Sequence, residues 1–323
     1  MNFTHWAAIV IAAGVGGSGC GSSAGNSGPV DAAGAGEASD LASGGDAGDN
    51  VTSDGAVPSM VTLTMDSFTV PAGGEVYKCQ DFANPFGGQQ VDITTYQLAM
   101  NPGSHHMILF YSSGASDGPV LDCPMGGLQT GPFTFGAQSQ KVTQTYPEGV
   151  GATIPAGMGF MLNAHYVNPG STPIQSAVQV TMFVAAPGSV TQHAGVLQYI
   201  QTSISIPATG QPVTSTASCA QMQDMNLLWT SSHMHRGATN FVATSGATML
   251  FQTGQWSDPP MHVFSPPLPL KAGADITWSC TYVNDTGSPL AFGPSALTNV
   301  MCNLGATFYP VQDVSNPVFQ CLQ

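Results

Sequence analysis

The residues best equipped for chemistry in this chain are histidines and one methionine. Ser232-His233-Met234-His235-Arg236-Gly237 contains a His-x-His pair. On a β-strand side chains alternate between faces, so His233 and His235 project together and Met234 turns away. Two imidazoles on one face begin a transition-metal site. Of the 8 His, five fall in tight groups: His105-His106, His165 in Asn163-Ala164-His165-Tyr166, and the His233/His235 pair. Acidic residues are absent from these groups, which argues against Mg or Ca. Near the other end, Met301-Cys302-Asn303-Leu304 runs into the β-like Thr307-Phe308-Tyr309. A thioether is a soft, neutral ligand that favours Cu(I), and Zn rarely selects one. His105 and His106 are neighbours and face opposite sides of a regular strand. To share one metal they need a bulge or a strand end, or coordination through different ring nitrogens. His193 and His262 match no ligand position and read as structural. Arg236 either orients an anionic substrate or faces solvent.

These groups need strands to hold them. Val61-Thr62-Leu63-Thr64-Met65 alternates, Ser67-Phe68-Thr69-Val70 continues the pattern, and Pro71-Ala72-Gly73-Gly74 turns the chain. Similar runs follow at 92–100, 107–111, 178–184, 240–244 and 275–283, separated by turns drawn from 39 Gly and 24 Pro. No long stretch has helical periodicity. Many short strands with regular turns predict an all-β chain of two tandem antiparallel β-sandwiches. A length of 323 residues also exceeds the usual single core. The break falls near 187–194, giving sandwiches at 59–190 and 191–323.

Residues 1–20 read as an export signal. Trp6 to Val15 is an apolar run too short to span a bilayer, and Gly17-Ser18-Gly19-Cys20 resembles a bacterial lipobox. The start has no Lys or Arg, and the usual Leu three residues before the Cys is missing. Residues 21–58, rich in Gly, Ser, Ala and Asp, form a flexible linker unable to bury a core. The expected location is therefore extracytoplasmic, lipid-anchored through Cys20 or secreted, with membrane contact only through that anchor. The net charge of −14 argues against nucleic acid. Besides Cys20 there are Cys79, Cys123, Cys219, Cys280, Cys302 and Cys321. An even set in an exported chain implies three disulfides, with about 15 pairings open. No Cys pair has zinc-finger spacing. A phosphate loop, an H-E-x-x-H and a G-x-S-x-G elbow are all absent.

His105-His106, His165, His233-x-His235 and Met301 stand in the order and approximate spacing of the ascorbate-dependent type II copper monooxygenases. The chain resembles that family, which includes peptidylglycine α-hydroxylating monooxygenase and dopamine β-monooxygenase. Tyr77-Lys78-Cys79, Pro147-Glu148-Gly149-Val150-Gly151 and Met301-Cys302-Asn303 add to the resemblance, which covers roughly 61–321. It implies two jelly-roll-like sandwiches, each carrying one copper. His105, His106 and His165 would hold an electron-storing copper, and His233, His235 and Met301 an oxygen-binding one. It also implies disulfides Cys79–Cys123, Cys219–Cys321 and Cys280–Cys302, the last pinning the strand beside Met301. The implied reaction hydroxylates a C–H bond of a small-molecule or peptide-like substrate, using O2 and ascorbate or another reductant.

Two departures concern the substrate. Peptidylglycine monooxygenases grip a carboxylate with an Arg before the His-x-His pair and a Tyr after the Asn of Met-Cys-Asn. Those positions are Ser231 and Gly305 here, while Asn303 remains. Losing the Arg predicts a larger, less charged substrate, with Arg236 as the nearby cation. Two other classes use the same ligands without turnover: an extracytoplasmic copper-binding or delivery lipoprotein, and a non-catalytic β-sandwich surface module.

Overall fold

The computed structural model describes residues 57–124 and 131–323; the export signal, Cys20 and nearly all of the linker lie outside them. Every regular element among the described residues is a β-strand, so the chain is all-β. The strands form four main sheets. In the first, Met60–Met65, Val178–Val184, Val91–Met100, Val150–Ile154 and Gln192–His193 lie side by side, and Lys141–Thr145 also pairs with Val91–Met100. The second runs Leu121–Asp122, Glu75–Phe82, Met158–Val167, Ser104–Ser113, Phe133–Ala137. The third runs His262–Leu270, Met225–Met234, Cys302–Tyr309, Gly195–Ile200, Val318–Leu322. The fourth runs Pro212–Ala220, Asp275–Val283, Ala238–Ser245, Thr248–Thr253.

Alternation explains the layers. Leu98 and Met100 of the first sheet and Leu109, Phe160 and Leu162 of the second are buried in one core. Leu197, Leu304, Trp278 and Phe241, from the third and fourth sheets, make another. Sheet faces that bury every second side chain against one another give sandwich layers. Disulfides join Cys79 to Cys123, Cys219 to Cys321 and Cys280 to Cys302, the pairs that the resemblance implies. The last crosses the second core, from Asp275–Val283 to Cys302–Tyr309, with both cysteines fully buried. Three disulfides are compatible with an oxidising compartment.

Two bulges decide which way the histidines face. His165 pairs with His106, but Tyr166 pairs with Ser104, so His105 is an extra residue in its strand. An inserted residue lets two neighbours share a side, the condition that the adjacent His105 and His106 required. In Met225–Met234 the register slips between Leu227 and Trp229, making Leu228 the extra residue. Met225 and Leu227 lie in the second core, whereas Leu228 and Trp229 lie in the first. A one-residue slip exchanges the faces of everything that follows. Downstream of it Met234 points into the second core, and His233 and His235 point the other way, toward the second sheet.

Candidate metal centre

His106, His165 and Tyr77 line up across three strands, because His165 pairs with His106 on one side and with Tyr77 on the other. Tyr77 stacks on His165 with ring centroids 3.8 Å apart and planes 15° apart. The phenol of Tyr77 donates to the Pro294 carbonyl. Burial, then the nearby Glu75, pushes that phenol far above its usual range, so it stays protonated.

The two histidine groups, distant in sequence, form one cluster. Ring centroids lie 4.9 Å apart for His105 and His233, 5.5 Å for His105 and His235, and 5.0 Å for His106 and His233. Ring nitrogens of His105, His106 and His165 lie within 4.8 Å of one another, and so do those of His105, His233 and His235. The sequence reading gives His105 to the first group alone; geometrically it belongs to both.

Each ring's orientation has a cause. The Nε2–H of His165 donates to Glu75 Oε1 at 2.7 Å, which leaves Nδ1 as the lone-pair nitrogen. Nδ1 of His235 lies 3.3 Å from the Asn299 carbonyl and donates to it, which frees Nε2. That Nε2 sits 3.3 Å from Nε2 of His233. Two imidazoles bound tetrahedrally at about 2.0 Å place their nitrogens about 3.3 Å apart, the separation seen here. Gln138 Nε2 lies 3.1 Å from His105 Nδ1. Nε2 of His105, Nδ1 of His106 and Nδ1 of His165 are buried with no hydrogen-bond partner among the described residues. Buried ring nitrogens without partners are costly unless something binds them, and a metal ion would.

All five imidazoles are held well below their ordinary range, first by burial and then by each other's charge; for His235 the value is about 3. They are therefore neutral at pH 7, as metal ligands must be. The residues fit a soft or borderline transition metal: imidazole is their dominant donor, with a thioether nearby.

Met301 is buried at the turn into Cys302–Tyr309. Tyr282 clamps this turn to the His-x-His strand. Its hydroxyl accepts from the His235 backbone N–H at 3.0 Å and donates to the Met301 carbonyl at 2.6 Å. Asn303 pairs directly across from His233, and its amide lies 3.7 Å from Met301 Sδ. His106, His233, Met301 and Asn303 all line a cavity of about 230 Å³. Arg236 does not line it; the side chain is exposed. His193 lies elsewhere, with Nδ1 2.8 Å from Thr153 Oγ1, and His262 is exposed beside Phe264.

An acidic residue from outside the histidine groups of the sequence reaches the cluster as a hydrogen-bond acceptor. Glu75 accepts from His165 Nε2, from the Ala296 N–H at 2.6 Å and from Ser295 Oγ at 2.6 Å. Alternation does put Glu75, Tyr77 and Cys79 on one strand face, a signal the sequence carried. Its partner His165 is 90 residues away, and no local pattern announces that pairing. Gln138, Tyr282 and Asn299 escaped notice for the same reason.

No family model matches the chain, and no curated protein matches it. Among solved structures, it is similar to the major capsid protein P2 from bacteriophage PM2, with 9% identity and a TM-score of 0.32 over 79% of this chain and 98% of that one. It is also similar to the infectious bursal disease virus VP2 subviral particle, with 10% identity and a TM-score of 0.17 over 80% of this chain and 73% of that one. Superpositions this loose carry no argument about what the chain does.

Proposed function

We propose that this protein is an extracytoplasmic copper-dependent monooxygenase. The observation that carries the reading is the five-imidazole cluster, with ring nitrogens buried and unpartnered, opening beside Met301 onto a cavity. His105, His106 and His165 would hold one copper ion. His233 and His235 would hold the second, with Met301 as the soft ligand that favours Cu(I). The resemblance to the ascorbate-dependent copper monooxygenases supports the same assignment. Tandem sandwiches and a lipid anchor at Cys20 belong to this reading too.

When bound, copper supplies one-electron redox chemistry and O2 activation. The balanced reaction is R–H plus O2, two electrons and two protons, giving R–OH and water. An enediol such as ascorbate is the expected electron source. The protein's own residues fix the geometry of the site. Glu75 and the Asn299 carbonyl set the tautomers of His165 and His235, turning lone pairs inward. Tyr282 holds the Met301 turn against His235. The buried Trp229 helps wall the cavity. A delivery protein has no need of an organic-sized cavity beside its metal ligands, which favours turnover over transport.

The test is oxygen consumption and product analysis with copper and ascorbate over a panel of C–H substrates. Hydroxylated product dependent on copper, reductant and O2 is expected. Tight copper binding with no product from any substrate would sink the enzyme reading in favour of delivery.

A further inference from the structure

The walls of the cavity beside His233 and Met301 carry no Asp, Glu, Lys or Arg among the described residues. The whole chain has four cationic side chains, Lys78, Lys141, Arg236 and Lys271, and none reaches it. Lys78 pairs with Asp122 and Lys271 with Asp224, and Arg236 is exposed. No side chain is therefore placed to neutralise a carboxylate or phosphate inside. Glu75, whose oxygens accept from His165, Ser295 and Ala296, does not line the cavity, so an ammonium meets no carboxylate in its walls either.

The space is lined by apolar side chains, among them Ile108, Phe133, Phe135, Trp229 and Leu304, together with uncharged polar ones. Of the polar groups, Gln144 and Thr307 bond each other at 2.9 Å. Asn303 Oδ1 is buried without a partner among the described residues, as are Gln138 Oε1, Ser232 Oγ and His106 Nδ1, and Asn303 is the residue directly across from His233. Gly305 contributes room on the same strand. A Cβ there would meet nothing nearer than the Ser231 carbonyl oxygen at 4.0 Å. Cavities of about 150 Å³ lined by apolar groups take benzene, and this one, at about 230 Å³, is larger.

From these walls we infer that the cavity takes an uncharged, mainly apolar organic molecule the size of an aromatic ring with a short chain. A single hydroxyl or amide N–H of that molecule would donate to Asn303 Oδ1. This ligand class deepens the monooxygenase reading of the same site and, as a substrate class, rests on it. A charged ligand would have to shed hydration with no opposite charge in the walls to offset it, a penalty large enough to decide selectivity.

The experiment compares three ligands of one shape: 3-phenylpropanol, 3-phenylpropionate and 3-phenylpropylammonium. Binding to the full chain is measured by calorimetry at pH 7.5, metal-free and copper-reconstituted under reducing conditions. The alcohol is expected to bind at least about tenfold more tightly than either ion in both forms. Gly305→Phe should fill the space and weaken the alcohol by at least about tenfold while copper uptake persists. Gly305→Val, a smaller filler, should give a partial loss and serves if the Phe variant does not fold. The inference is overturned if either ion binds as tightly as the alcohol, if the alcohol fails to bind, or if the folded Gly305 variants bind it undiminished. The two readings fail separately. Selective binding of the alcohol with no oxygenated product would remove the enzyme reading and support the cavity assignment. Efficient hydroxylation of the carboxylate would do the reverse.

Discussion

Replacing Glu75 by Gln tests how the cluster is held. The carboxylate accepts three hydrogen bonds, from His165 Nε2–H, Ser295 Oγ and the Ala296 N–H, at 2.7, 2.6 and 2.6 Å. Its side chain is only 15% exposed, so solvent screens these bonds little. Gln keeps the shape but loses the charge. A bond to a charged acceptor contributes about 1.5–3 kcal/mol, and a neutral one about 0.5–1.5. The amide NH2 also meets donors where a second oxygen stood. The bond to His165 is the one that leaves Nδ1 facing the cluster, and carboxylates in that position typically tune metal affinity about ten- to a hundredfold. Glu75→Gln is therefore expected to weaken copper at His105, His106 and His165 by about that factor, equivalent to about 1.4–2.8 kcal/mol. The assay is chelator competition with copper counted by metal analysis and spin resonance, alongside urea unfolding of the metal-free variant. Copper affinity within twofold of the parent would refute the idea that Glu75 sets the tautomer of His165.

Other predictions follow from the same geometry. His165→Ala should remove one copper ion and spare the other, whereas His105→Ala, whose ring also packs against His233 and His235, should remove the same ion and weaken the second; metal analysis showing identical losses for the two variants would end the idea that His105 couples the two groups. Met301→Ala should abolish oxygen chemistry yet leave ascorbate reduction of the copper at His105, His106 and His165 intact, and parental turnover would reduce Met301 to core packing. Acid should destabilise the metal-free protein. The folded imidazoles sit below their unfolded value near 6.5, so the unfolded chain binds protons that the folded chain refuses. Stability is then full above about pH 6.5 and falls as pH drops toward the folded values, of which that of His235 is about 3, at up to about 1.4 kcal/mol per pH unit per imidazole. Melts of metal-free protein that stay flat from pH 7.5 to 5 would contradict this.

Sequence alone determined whatever depends on residue type and short spacing. Alternating Val, Leu, Thr and Phe between Gly- and Pro-rich turns fix an all-β chain, because period-two patterning can bury only one face of a strand. The His-x-His spacing likewise places His233 and His235 on one side, with Met234 opposite, and the structure has them so. Family resemblance, rather than spacing, selected one disulfide pairing among the many open ones. Tertiary structure decided the rest. Whether adjacent His105 and His106 can face one site depends on an unpaired residue in their strand, and that is set by pairing with a strand some 60 residues away. The slip at Leu228 turns His233 and His235 out of one core and toward the other, and its sequence looks like any buried strand. Glu75 meets His165, and His105 meets His233, only because strands remote in the chain lie side by side or face to face. Long-range contacts of this kind arise from the packing of whole sheets, and a local pattern does not encode its partner.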